Sequence, residues 1–267
     1  EAPPEAPLTA EAAPEVVKAV RGDSHWLDVS RIVQSILDVR NPPSRSRRFW
    51  YNQRVAAEDA WLDPKTVDLR SDGDSDLVGE LVMFFDGAKS DDATGLVVCR
   101  LDDGHVITGG VWQRPAGAAG LGWTVDRSKV DEKVRGLLDS GQVLAFWADP
   151  SHAVDDDVTG FWDATIDGWH RDYGAALKFW AVKTGDRKHS IMWDMTSPAR
   201  QQAFTFAAQT FLDEFEAGEF TIDGHPALKQ HLKNARRRLN KWGVTLAKEH
   251  RESTRKIDLA VCAVGAR

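Results

Sequence analysis

Asp86 closes the apolar run LVMFF, Asp149 closes VLAFWA, and Asp258 opens the apolar stretch DLAVCAVGA. Burying an unpaired carboxylate costs several kcal/mol, so acids placed in this way ask for a cation. Taken singly, each has a plain reading: Asp86 forms a turn before Gly87, Asp149 is half of an Asp-Pro turn, and Asp258 caps a helix. Taken together they have a chemistry. Carboxylates gathered at neutral pH raise one another's pKa unless a divalent ion holds them charged. An oxygen-only ligand set suits Mg²⁺ or Mn²⁺ rather than zinc. Two such ions, about 4 Å apart, would activate a water on one side of a phosphodiester and stabilise the leaving oxygen on the other.

A phosphate footprint accompanies the acids. Between His225 and Lys256 there are ten Lys and Arg against Glu249 and Glu252, so this segment carries +8 while the whole chain carries −7. A concentrated basic stripe can hold a nucleic-acid backbone even on an acidic protein, although its plainer reading is a solvated helix face. Lys233, Arg236, Arg237 and Arg238 are the candidate contacts. Lys256 stands two residues before Asp258 and could either touch phosphate or neutralise the acids.

The composition, 42% apolar and 28% charged, is that of a soluble globular chain. No apolar run approaches the roughly 18 residues that span a bilayer, and the opening EAPPEAPLTAEAAPE lacks the basic and apolar regions of a signal peptide. A cytosolic protein with no membrane partner is expected. Cys99 and Cys262 provide neither a disulfide framework nor a metal quartet and read as reduced core residues. With no initiator Met, the chain reads as a piece of something longer.

Which elements would position the acids? Residues 1 to about 23 read as a linker or frayed helix, and Asp28 as the cap of a helix carrying Val29, Ile32, Val33, Ile36 and Leu37. A helical piece from Ser44 to about Ala60 contains RRFWYNQ, whose three adjacent aromatics cannot all face one core. The segment 1–75 is expected to precede a main domain, 76–267. That domain opens with strands at Glu80–Asp86, Thr94–Leu101 and His105–Gln113, the last two joined at Asp103-Gly104, which makes an antiparallel meander. A helix from about Asp126 to Ser140 leads to a strand at Val143–Asp149. Strand, helix, strand implies parallel pairing through a right-handed crossover, and ligands in open α/β sheets gather at strand carboxyl ends. Further on, a helix is expected in Asp155–Tyr173, a short strand around Lys178–Lys183, and a helix that Ser197-Pro198 opens and Gly218 stops. Another helix from Pro226 should bury Leu228, His231, Leu232, Ala235 and Leu239 while Lys229, Lys233, Arg236 and Arg237 point outward. His231 reads as a packed core histidine rather than a ligand. Trp242–Lys248 reads as one more strand, and Ile257–Ala266 as the helix that carries Asp258.

In this order, FDGAKSDDATGLV, AFWADP and RKIDLAVCAV resemble the C-terminal nuclease domain of phage large terminase subunits. The preceding GDSHWLDVSRI, PPSRSRRFWYNQ and AAEDAWLDP are similar to the segment that joins motor and nuclease in actinobacteriophage terminases. The resemblance covers about residues 20 to 267 and rests on the order and spacing of short motifs. It implies an α/β, RNase H-like fold, a central mixed sheet of an antiparallel three-strand meander plus parallel strands flanked by helices. It also implies a metal-dependent endonuclease that cuts double-stranded DNA during genome packaging and leaves a 3′-hydroxyl. Asp86, Asp149 and Asp258 match the metal-binding catalytic acids; Asp92, six residues after Asp86, matches an auxiliary acid, with Asp91 as its competitor. The implied partners are duplex DNA, an ATPase domain of the same polypeptide, a portal and a small terminase subunit, in the cytoplasm of the infected bacterial host. Two departures stand out. Ala88 occupies a position where relatives often carry Ser, and no G-x-x-x-x-G-K-[ST] loop is present, so this stretch should cut DNA and not pump it. The rival readings are a resolvase or transposase using the same acids, and a non-catalytic docking module in which the acids only cap helices.

Overall fold

The computed structural model of the chain describes residues 1–3, 6–38, 41, 43–53, 59–150, 160–185, 188–250 and 253–267. Two compact units divide it, Glu1–Asp59 and Ala60–Arg267. The first is helical: α1 (Ala13–Arg21), α2 (Val29–Leu37) and α3 (Pro43–Phe49). Asp28 caps α2 as its sequence predicts, its carboxylate accepting the Arg31 N–H at 3.2 Å. The opening residues are more ordered than a linker, because Ala2, Ala6, Ala13 and Val17 pack with Ile32, Ile36 and Tyr51. The three adjacent aromatics do part company: Tyr51 is buried, with its hydroxyl donating to the Pro7 carbonyl at 2.8 Å, whereas Phe49 is 63% exposed. The helix expected to run to Ala60 stops at Phe49, and residues 54–58 lie outside the described residues.

The second unit begins with α4 (Pro64–Leu69) and then forms a four-stranded sheet from β1 (Leu81–Asp86), β2 (Thr94–Arg100), β3 (Val106–Trp112) and β4 (Val143–Asp149). Residues 60 to 75 belong with this unit, since Trp61, Leu62 and Val67 sit in its core. The sheet order is β3-β2-β1-β4; β1, β2 and β3 run antiparallel, and β4 joins β1 in parallel through the crossover helix α5 (Arg127–Leu138). This is the mixed sheet of an RNase H-like fold.

Helices cover both faces. On one side Leu81, Met83, Phe85 and Phe146 pack with Val130 and Val134 of α5 and with Ile166 and Trp169 of α6 (Asp163–Tyr173). On the other side Phe84, Val97 and Cys99 pack with α7 (Pro198–Ala217), α8 (Pro226–Asn234) and α9 (Asp258–Ala266). Burial of both faces explains why β1 and β4 read as apolar runs rather than alternating ones.

Three expectations are corrected here. The helix from Pro226 ends at Asn234, and the chain turns into a hairpin of β5 (Arg236–Asn240) and β6 (Gly243–Ala247). Arg236, Arg237 and Arg238 therefore lie on a strand, and Leu239, expected in the core, is 80% exposed. The cause is local: the Asn240 side chain accepts the N–H groups of Trp242 and Gly243 at 2.9 and 3.1 Å, which closes a turn that a continuing helix would need to unmake. No strand forms around Lys178; Phe179 makes only an isolated bridge to Ala145. Ser197 takes the extended N-cap conformation of α7 but makes no capping bond. Pro198 at the first position leaves one donor fewer to cap. The early part of the helix expected from Asp155 falls on residues 151–159, outside those described.

Candidate active site

Strand alternation decides which way the acids face. Asp86 shares the parity of Phe84, which packs on the α7/α9 side, and Asp149 shares that of Trp147, which packs on the same side. Because β1 and β4 are parallel and in register, Asp86 stands directly opposite Asp149, one strand spacing of about 4.8 Å away. The Gly87 N–H donates to the Asp149 carbonyl at 3.1 Å, extending the pairing one step past both acids. A backbone donor also reaches the Asp149 side chain, the Met195 N–H at 3.4 Å from Oδ1.

Asp258 arrives from the helix above. α9 can lie close on the sheet because two positions lack a side chain. A Cβ on Gly95, the register partner of Asp86, would stand 3.0 Å from Cys262 Sγ, and one on Gly265 would enter the Phe84 ring. His231 of α8 fixes the first turn: it is buried, and its Nδ1 accepts the Leu259 N–H at 3.0 Å, meeting a donor that the helix itself leaves unpaired. Burial first, then Lys256 and Lys248, push the His231 pKa down to about 4, so the ring is a neutral acceptor at pH 7. The expectation of a packed core histidine holds, and the ring is also a brace.

The result is a cleft of about 420 Å³ whose walls include Asp86, Asp91, Asp92, Asp149, Lys248 and Asp258. Its floor is short of positive charge. Burial, followed by the charges of Asp258, Asp149 and Asp92, pushes the Asp86 pKa well above the carboxylate range. Burial and then Asp92 raise Asp258 to about 6. Asp258 is 6% exposed, and its Oδ2 is buried with no hydrogen-bond partner.

Asp92 is the contrast. Burial works against its ionisation, yet hydrogen bonds from Lys248 and Lys256 hold its pKa below the usual value. Lys256 Nζ lies 3.0 Å from Asp92 Oδ1, Lys248 Nζ bonds the same oxygen, and Lys256 also donates to the Asp91 carbonyl. Asp91 itself faces outward, its side chain 85% exposed and 3.5 Å from Arg114.

The loop between Asp86 and these acids is clamped at Ala88. Thr94 Oγ1 accepts the Ala88 N–H and donates to the Ala88 carbonyl, each at 3.0 Å. The Trp162 indole donates to that carbonyl at 3.1 Å from 74 residues away.

Among the described residues no three His, Cys, Asp or Glu side chains stand together as a ready-made metal ligand group. The donor set nevertheless fits a hard divalent cation. It is all oxygen, it carries an orphaned buried carboxylate atom on Asp258, and burial and neighbouring carboxylates hold Asp86 and Asp258 at raised pKa.

Superposition on solved structures places the geometry in context. The HK97 bacteriophage large terminase aligns over 100% of this chain and 56% of its own length, with a TM-score of 0.51 and 16% sequence identity. The chain shares the fold of the matching part of that protein. In sequence, the chain is 34% identical over 258 residues to the Gene 13 proteins of Mycobacterium phages L5 and D29, a match covering 91% of this chain. The chain spans 40% of the length of those relatives. No protein-family model matches it.

Of the residues singled out by sequence, Asp86, Asp92, Asp149 and Asp258 line one cleft, and Lys256 reaches its edge through Asp92. Lys233, Arg236, Arg237 and Arg238 are not among the cleft's lining residues. Lys233 pairs with Asp68 at 2.7 Å, Arg236 donates to the Lys233 carbonyl, Arg237 donates to the Ala60 carbonyl, and Arg238 is exposed on β5. Sequence reading counts Lys248 as one more basic residue and misses its place in the cleft. It misses the contacts of His231, Thr94 and Trp162 too, since only Gly87 and the aromatic density near Trp162 hint at them.

Proposed function

We propose that this chain is the nuclease part of a phage large terminase, an endonuclease that depends on divalent metal and cuts double-stranded DNA during genome packaging. One observation supports this above the others: Asp86 and Asp149 stand in register at adjacent parallel strand ends, with the buried, unpartnered carboxylate oxygen of Asp258 brought over them by α9. Asp86, Asp149 and Asp258 would hold Mg²⁺ or Mn²⁺, two ions in the working enzyme. When bound, these ions would supply an activated water and charge stabilisation for the leaving oxygen of a phosphodiester.

The chain's own residues do the remaining work. The register of β1 and β4 fixes the spacing of two acids, and the His231 brace fixes the third, so the site's geometry precedes substrate binding. The Ala88 clamp holds the loop that forms the cleft's rim. The exposed Arg238 and the other basic residues of the β5–β6 hairpin suit the DNA backbone, whose recognition is electrostatic and independent of sequence. The remaining partners in this reading are an ATPase domain of the same polypeptide, a portal and a small terminase subunit, acting in the cytoplasm of the bacterial host. No helix among the described residues is long and apolar enough to cross a membrane.

Nicking of supercoiled plasmid tests the reading directly. The wild-type chain should cut with Mn²⁺, and cutting should stop with a chelator or with Asp86→Asn. Equal activity in all three arms would sink the proposal. Linear duplex should serve as well as a four-way junction; a strong preference for the junction would point instead to a resolvase-like enzyme.

A further inference from the structure

Asp92 differs in kind from the three acids beside it. Its Oδ1 accepts from Lys248 and from Lys256, so one carboxylate is met by two ammonium groups. The pairing ties three segments together: the loop after β1, the end of the β5–β6 hairpin, which Lys248 directly follows, and the entry to α9, which Lys256 precedes by two residues. A carboxylate already matched twice over has little negative charge to offer a metal ion, and both ammonium groups repel one. Among the described residues, no ammonium group stands in hydrogen-bond contact with Asp86 or Asp258 in this way.

Lys248 is the residue this arrangement prepares. It lines the cleft, its side chain is 18% exposed, and of its three N–H donors one goes to Asp92. Lys256 directs two donors inward, to Asp92 and to the Asp91 carbonyl. A phosphodiester approaching the acids meets their repulsion, and a fixed cation with donors to spare at the rim offsets it.

We infer that Lys248 is a phosphate-binding residue of the cleft, and that Asp92 is a positioning residue for Lys248 and Lys256 rather than a metal ligand. The ligand class is the DNA phosphodiester backbone. The inference rests on the nuclease reading above.

The test uses the full 267-residue chain and two readouts besides cleavage: Mn²⁺ affinity by calorimetry, and affinity for a short linear duplex in chelator across about 50 to 200 mM salt. Asp86→Asn should weaken Mn²⁺ binding about tenfold or more, whereas Asp92→Asn should change it by less than about threefold. Lys248→Met should weaken duplex binding by about three- to tenfold and reduce the salt slope by about one, and Lys248→Arg should restore most of both. If Asp92→Asn costs as much Mn²⁺ affinity as Asp86→Asn, Asp92 is a ligand and the inference is overturned. An unchanged duplex affinity and salt slope in Lys248→Met overturns it equally. If the Met variant does not fold, Lys248→Gln, which removes the charge and keeps a polar end, is read in its place by the same two criteria. A wild-type chain that neither binds Mn²⁺ nor nicks plasmid defeats the nuclease reading itself, and this inference falls with it; the other two results leave that reading standing.

Discussion

The two ends of the same sheet handle buried charge in opposite ways. At one end, where Leu81 registers with Arg100, the guanidinium meets Asp74 and Asp103, each at 2.6 Å, and donates to the Asp76 carbonyl at 3.1 Å. Beside it, His105 is buried with both ring nitrogens engaged, to Thr221 Oγ1 at 2.7 Å and to the Asp74 carbonyl at 2.9 Å. Arg100 holds the Asp103 carboxyl below its usual range. At the other end, where Asp86 registers with Gly95, the pKa values of Asp86 and Asp258 are pushed up by burial and by neighbouring carboxylates. Charge compensated at Arg100 and left uncompensated at Asp86 and Asp258 marks two different roles. The matched end serves folding, and the unmatched end has the charge pattern of a functional site.

Substitutions should therefore separate the ends. Asp86→Asn is expected to lower Mn²⁺-dependent plasmid cutting by about 100-fold or more, without loss of folding stability in chelator. Arg100→Met should do the reverse. Removing the guanidinium strips two ion pairs and the bond to the Asp76 carbonyl from a side chain that packs at the sheet's end, so the urea midpoint should fall. Cutting per folded molecule should stay at the wild-type level. Urea unfolding and plasmid nicking on both variants decide the matter, and a large stability loss in Asp86→Asn would erase the contrast between the two ends.

How much of this could be read from sequence follows from where each signal resides. The strands that carry Asp86 and Asp149 are legible because burial on both faces writes them as continuous apolar runs, and the intervening helix implies their parallel pairing. The helix of Asp258 is legible for the same reason. The basic stripe misleads because Leu228, Leu232, Ala235 and Leu239 keep helical spacing across a point where the backbone turns extended. The deciding signal is Asn240 and Gly243, a turn pair that periodicity does not weigh. The Lys248–Asp92 pair and the Trp162–Ala88 bond join residues 156 and 74 positions apart. Contacts at that separation leave no local pattern, and only the folded chain brings them together.

Asp258 offers a finer test of the unmatched end. Its pKa is raised to about 6 from an unfolded value of 3.8, so the ionised carboxylate costs stability at all pH values above 6. That cost fades as pH falls from 6 to 3.8, where folded and unfolded states both become protonated. In chelator, Asp258→Asn should therefore stabilise the chain at pH 8 by about 1 to 2 kcal/mol, less than the full shift because the buried amide is also without a partner. The gain should disappear near pH 4. Paired urea titrations at the two pH values check this, and a destabilised variant at pH 8 would mean that the carboxylate is compensated within the protein after all.

The smallest effect expected concerns the rim rather than the acids. Thr94 Oγ1 makes both bonds to Ala88, and Thr94→Val removes the hydroxyl while keeping the shape. The Ala88 carbonyl retains the Trp162 indole, so the loss falls on the buried Ala88 N–H, and the expected cost is about 1 kcal/mol. Thr94→Ser keeps the hydroxyl and should lie within about 0.5 kcal/mol of wild type. The loop that loosens leads to Asp92 and its two lysines, not to Asp86 and Asp149, whose places are set by strand register. Thr94→Val should accordingly weaken duplex binding about two- to threefold while leaving Mn²⁺ affinity unchanged. A fall in Mn²⁺ affinity in this variant would show that the rim and the acid floor are one mechanical unit, and the division drawn between them would have to be given up.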